Sequence, residues 1–302
     1  MHAKPRRPFV ARPGLLALCV TAGLAPCVAP ARDARAQERV DVPAPSDTLY
    51  QVRLTDGSVL YARIAEVSAD RVVLTTSGGA RVELDRAQIR EVRAARGRVV
   101  DGEYRVEDPS ATRLFFTATG RSLRAGEAYV GTYLIVLPFL AFGVTNRFTL
   151  AAGAPVLFGE FEPFYVAPKL QVVRRERFQL SLGTLAFFFQ DENVGIAYGV
   201  GTFGDADDAF TAGVGFGYSG ADFSSQPVGM VGGEARVSRR VKLLTENYFL
   251  PGETGFVFSG GLRFVGDRLS TDVGVAGGVG EDGEGGCCVP MLNFAYAFGR
   301  GR

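Results

Sequence analysis

Tryptophan is absent from this 302-residue chain, and histidine occurs once, at His2. An excess of one charge is lacking too: 33 basic residues face 32 acidic ones, a formal net charge of +1. That balance supplies no field to draw in nucleic acid or an acidic partner. The scarcity of histidine excludes more. A Ser-His-Asp triad, an H-E-x-x-H zinc site and a Cys-His pair all require it, and His2 lies in a stretch expected to be removed. Carboxylate-only chemistry is left, but no paired acids stand out on one predicted strand. No catalytic residue, metal site or cofactor is expected, and the chain reads as a non-enzyme. Long uninterrupted apolar runs are also missing. "AYVGTYLIVLPFLAFGVTN" (128–146) carries no charge, but Pro138 interrupts it.

What is present begins with a charged N-terminus. Lys4, Arg6, Arg7 and Arg12 precede the short apolar run "LLALCVTAGLA", and Ala34-Arg35-Ala36 follows. A basic start, a brief apolar run and a small-residue site read as a secretory signal peptide over residues 1–36. Its removal takes away His2, Cys19 and Cys27, leaving Cys287 and Cys288. Residues 37–47, with Pro43 and Pro45, read as an extended linker. From 48 to 95 short apolar alternations are separated by Asp56-Gly57, Ser68-Ala69-Asp70 and Ser77-Gly78-Gly79, which predict five strands joined by tight turns. A charged joint, 96–125, follows.

From Gly126 the pattern changes to twelve runs of about ten residues with apolar alternation, ending near Phe298. In the seventh, Phe210, Ala212, Val214, Phe216 and Tyr218 share one face, with Thr211, Gly213, Gly215, Gly217 and Ser219 on the other. Side chains alternate across a strand, so this is strand periodicity. The sixth run sets Val194, Ile196, Tyr198 and Val200 against glycine and alanine, and the same division is expected there, large residues outward. Residues 128–146 have no helix caps and head this series, so they predict two strands joined near Pro138. "GVGFGYSG" echoes a nucleotide loop but lies inside a strand and opens no helix.

Tilted strands of this length cross a hydrocarbon layer, and a bilayer permits no open sheet edge. The pattern resembles bacterial outer-membrane β-barrels, and residues 49–93 resemble SH3-like and Sm-like small barrels. The expected fold is all-β: a small five-stranded barrel, then an antiparallel transmembrane barrel of about twelve strands, with ten or fourteen as alternatives. Leu292, Phe294, Tyr296 and Phe298 alternate toward the chain end, like the aromatic signal such barrels present to their insertion machinery. That resemblance implies outer-membrane lipid around residues 126–298 and the module 48–95 in the periplasm, near peptidoglycan or another envelope protein. Connections after even runs are mostly basic and short, and are assigned to the periplasmic end; Asp205-Ala206-Asp207-Asp208 breaks their charge trend.

Period two directs Lys169, Gln171, Glu234, Arg236, Glu246, Arg263 and Asp272 inward, where they form a lumen charge network or line water. Cys287 and Cys288 are read as a loop disulfide or a pair of thiols. The functional expectation is passive or narrow-channel transport, or an envelope scaffold. The alternatives are a barrel-anchored periplasmic adaptor and an exported soluble lipid carrier.

Overall fold

The computed structural model describes residues 40–155, 163–190, 192–250, 255–280 and 285–299. The signal peptide expected over 1–36 lies outside them. Tight turns build the first sheet: Gly57 adopts φ 91° and Ser58 N–H donates to Asp56 Oδ1 at 2.8 Å. β1 (Leu49–Leu54), β2 (Val59–Val67), β3 (Arg71–Thr76), β4 (Arg81–Asp85) and β5 (Ile89–Ala94) pair antiparallel in the order β4-β3-β2-β1-β5. Among the described residues β4 and β5 do not pair, so what stands is a five-stranded sheet and not a closed small barrel. Its core is Val52, Ala62, Ile64, Val72, Leu74 and Ile89, joined by Val42. The stretch expected to be a linker is therefore partly core: Val40 and Val42 alternate among polar neighbours, and Arg86 donates to the Val40 carbonyl at 3.0 Å.

The stretch expected as a charged joint is structured as well. β6 (Gly97–Val100) and β7 (Glu103–Val106) make a hairpin, and residues 107–125 continue into the second sheet's interior.

That second sheet begins with β8 (Glu127–Tyr133), β9 (Leu137–Gly143), β10 (Phe148–Gly153) and β11 (Phe164–Arg174). β12 (Phe178–Phe188), β13 (Asn193–Gly204), β14 (Ala209–Ser219) and β15 (Asp222–Ser238) follow. β16 (Val241–Leu250), β17 (Gly255–Val265), β18 (Leu269–Val279) and β19 (Gly285–Gly299) complete it. All neighbours are antiparallel and β19 pairs with β8, closing a barrel of twelve strands. The uncharged stretch 128–146 is the hairpin β8–β9. It turns at Leu134–Val136 and not at Pro138, which pairs with Thr132 inside β9. At that turn Asn293 Oδ1 accepts the Leu134 N–H at 3.0 Å.

Large apolar side chains cover the outside: Val130, Leu140, Phe142, Leu150, Leu170, Leu182, Phe210, Val214, Phe216, Leu243, Phe249, Phe264 and Tyr296 are all exposed. β13 reverses the expected division. Val200 and Thr202 are buried, and Ile196 and Tyr198 share their inward face. β14 makes room for them, because a Cβ on Gly215 would lie 2.7 Å from Ile196 Cδ1. On the outer face, Tyr218 spreads over Gly195 and shares a hydrogen bond with Thr184 at 3.0 Å. Large inward residues on one strand and glycine on the next are complementary, which periodicity within a single strand does not reveal.

Candidate functional site

A barrel of this size has an interior that its wall side chains alone do not fill. Here the chain fills part of it with residues 107–125. Arg113 and Ala118 form an isolated bridge and Leu114 N–H donates to the Thr117 carbonyl at 2.8 Å, so the segment folds into a tight hairpin. Its tip carries Leu114 and Phe115, both fully buried against Val200, Met230, Leu244 and Met291. Gly232 on β15 is the floor beneath Leu114: a Cβ there would sit 2.6 Å from Leu114 Cδ1. The tip's main chain is held from the wall. Glu246 accepts the Phe116 and Thr117 N–H groups at 3.0 and 3.2 Å, and also bonds the Tyr248 hydroxyl. Asn293 Nδ2 donates to the Phe115 carbonyl at 3.2 Å, and Gln171 Nε2 and Ser181 Oγ donate to the Gly120 carbonyl, each at 2.9 Å.

Charge is the second bond between segment and wall. Arg263 of β17, fully buried, donates to Asp272 at 2.6 Å and to Asp108 at 3.1 Å. It also reaches the carbonyls of Ser110 and Arg113 at 3.1 Å and of Leu114 at 2.7 Å. Arg113 answers from the segment, donating to Asp272 at 2.7 Å. Lys242 bridges Asp108 and Glu234, at 3.2 and 2.8 Å, and Arg121 also pairs with Glu234. Four cations thus share three carboxylates. Lys169 stands apart. Its ammonium meets three carbonyl oxygens, of Thr112, Thr119 and Arg121, at 3.1, 3.0 and 2.6 Å, and no carboxylate among the described residues. Buried charges survive only when paired or hydrogen-bonded in this way.

At the barrel end that carries the even connections, Asp207 receives Arg98 at 2.6 Å, Arg105 at 2.7 Å and Arg236 at 2.5 Å. The acidic connection 205–208, the exception among basic turns, is thus the socket for the β6–β7 hairpin. Burial alone would raise the Asp207 carboxyl pKa, but the three arginine hydrogen bonds outweigh it and hold it at about 2. Arg239 and Glu103 add a 3.0 Å pair. The five-stranded sheet is fixed at the same end: Tyr61 stacks on Tyr104 at 3.8 Å and Gln51 donates to Asp267 at 3.1 Å. Burial raises the pKa of both phenols.

The segment divides the interior. On the socket side lies a cavity of about 960 Å³ edged by Arg96, Arg98, Arg121, Arg124, Glu127 and Asp205. On the far side lies one of about 420 Å³, lined by Phe116, Tyr133, Tyr165, Phe187, Tyr198, Met230 and Tyr248. Thr112 and Tyr129 border both, and their hydroxyls are 2.9 Å apart. The partition there is a single layer of side chains.

No protein-family model matches the chain, and no curated protein does. Solved structures do. A NanC porin is 10% identical with a TM-score of 0.35, over 57% of this chain and 98% of that one. A loop L8 deletion mutant of OmpT, an outer membrane protein of Vibrio cholerae, is 11% identical with a TM-score of 0.33, covering 83% of this chain and 95% of its own. The outer membrane channel DcaP of Acinetobacter baumannii is 10% identical with a TM-score of 0.32, over 83% and 94% of the two chains.

The structure gathers Glu234, Arg263 and Asp272 around the inserted segment. Lys169 and Glu246 bind its main chain, and Arg236 sits at the rim with Asp207. Their partners Asp108, Arg113 and Arg121 come from the stretch read as a joint, where no periodicity marks a buried role. Lys242 had a signal, since it shares period two with Leu244 and Glu246. Cys287 and Cys288 lie at the start of β19 and not in a loop, and are bonded to each other.

Proposed function

We propose that the chain is a bacterial outer-membrane β-barrel of the channel class, non-enzymatic, held shut by its own residues 107–125. The observation that carries this reading is the set of wall side chains devoted to that segment, with Arg263 alone binding Asp108 and three of the segment's carbonyls. Membrane placement is supported by a closed barrel whose strands are apolar outside and polar or filled inside, the pattern lipid demands. A soluble lipid carrier would place the greasy face inward, opposite to the exposed Phe, Leu and Val of this barrel. The five-stranded sheet and the β6–β7 hairpin belong to the periplasmic end, and β19, with Tyr296 and Phe298 facing out, is the strand offered to the insertion machinery.

A resting barrel of this kind is closed to ions. In planar bilayers the full chain is expected to be silent, and a variant lacking Leu114–Thr117 to show discrete conductance steps. Equal, steady conductance from both would mean that the segment does not seal the lumen. The adaptor reading draws support from β4 and β5, each paired on one side only among the described residues. That edge could take an envelope protein's strand, and deleting residues 40–94 would then remove a partner while leaving the barrel shut.

A further inference from the structure

The far cavity differs in chemistry from the segment beneath it. Its walls are aromatic and aliphatic, and its volume of about 420 Å³ falls in the range of small-molecule pockets. Polar character is concentrated near the inserted segment, where Arg113 and Lys169 border it. Arg113 is buried, lies 5.5 Å from the Tyr133 ring centre, and among the described residues its Nε has no hydrogen-bond partner. An unpartnered buried donor is costly unless a ligand or an ordered water supplies the acceptor. Counted over the buried and half-buried groups around the segment, the interior is short of one negative charge: Arg113, Arg121, Lys169, Lys242 and Arg263 face Asp108, Glu234, Glu246 and Asp272.

The wall beside this cavity is low. β8 and β9 have 7 residues each, against 10 to 17 in β11–β19. β19 pairs with β8 only from Phe294 onward. At ~3.4 Å per residue and a tilt near 40°, seven residues climb about 18 Å, short of the ~25 Å apolar band of such barrels. The β8–β9 turn that tops this wall is Leu134-Ile135-Val136, all exposed, with Leu134 and Ile135 at φ 50° and 69°. An apolar sill below the level of the lipid headgroups gives a hydrophobic molecule a route from the membrane side.

We propose that the far cavity binds a medium-chain carboxylate amphiphile, its apolar body among Tyr165, Phe187 and Tyr198 and its carboxylate on Arg113. The route over the sill rests on the membrane placement proposed above, whereas the pocket and its charge do not. Because the chain lacks tryptophan, Phe187→Trp creates a unique reporter inside the cavity, and Leu182→Trp creates one on the lipid-facing side of the same strand. Both full-length variants go into phosphatidylcholine nanodiscs, with heat-dependent gel mobility as the check that the barrel has formed. Bromododecanoate is expected to quench Phe187→Trp saturably and Leu182→Trp only in proportion to its concentration in the lipid. Bromododecanol should bind about tenfold more weakly, for want of charge on the guanidinium. Adding Ala167→Leu to narrow the cavity should abolish saturation, a control that leaves the charge network untouched.

Equal quenching of both reporters, or equal affinity for acid and alcohol, would overturn the proposal. A second set of discs carries brominated phosphatidylcholine to identify the source. Strong quenching of Phe187→Trp there would mean that intact lipid chains fill the cavity and that no free acid is required, which also overturns it. A barrel that shifts on heating and stays silent in bilayers, yet gives no saturable quenching, would remove this inference and leave the proposed function standing.

Discussion

At the residue scale, Arg263 is the most heavily committed side chain among the described residues. Truncating one member of a buried ion pair strands the other, at a cost of about 3–5 kcal/mol. Arg263→Met is therefore expected to lower the temperature at which the barrel changes gel mobility, and to admit ions in bilayers. Asp272→Asn should cost at least as much, because it also leaves buried Arg113 without a carboxylate partner among the described residues. Leu114→Ala works without touching charge: it empties the tip's apolar seat, and leak conductance should appear with every ion pair intact. Measuring both quantities for both variants separates a seal that depends on charge from one that depends on packing. Much of this chemistry was legible only by halves. Period two directs Glu234, Glu246, Arg263 and Asp272 inward once their strands are recognised, but says nothing of what they meet. The partners Asp108, Arg113 and Arg121 sit in an irregular segment whose polarity reads as solvated. Its burial is dictated by the barrel's empty interior, a property of the closed ring and of no local window.

At the element scale, the β6–β7 hairpin is held to the barrel by arginines on Asp207. A carboxyl whose pKa is depressed in the folded state contributes stability above its ordinary value near 4, and that contribution is lost as pH falls through the folded value of about 2. Acidification from about pH 4 to pH 2 should therefore loosen the hairpin, seen as growing susceptibility of residues 97–106 to pepsin. Asp207→Asn should show that susceptibility already at pH 4. The twelve strands were the most legible elements, since a ten-residue alternation repeated twelve times has few other readings. The inverted β13 was not, because its large residues face inward by virtue of glycines on β14. The early turn at Leu134–Val136 was also hidden, as its partner Asn293 lies far along the chain. The five-stranded sheet was anticipated from its Asp-Gly and Gly-Gly turns, but Val42 belongs to its core because it covers apolar side chains that the sheet alone leaves bare.

At the scale of the whole molecule, sheet, hairpin, inserted segment and barrel follow one another in chain order, and each rests on the next. Removing residues 40–94 should leave a barrel that still resists cold detergent and shifts on boiling, because the buried bonds of residues 107–125 all lie within the barrel. Loss of the heat shift in that deletion would mean that the sheet is needed to form the barrel.

The inserted segment is continuous with β7 at one end and β8 at the other, so under the proposed function it is a stopper chained to its own bottle. Displaced from its seat, it stays within reach at an effective concentration of the millimolar order. Reclosure is then an intramolecular event, indifferent to how many copies of the protein the membrane holds. Openings should be brief flickers that end of their own accord, with a mean duration set by the seat left empty and not by any closing partner.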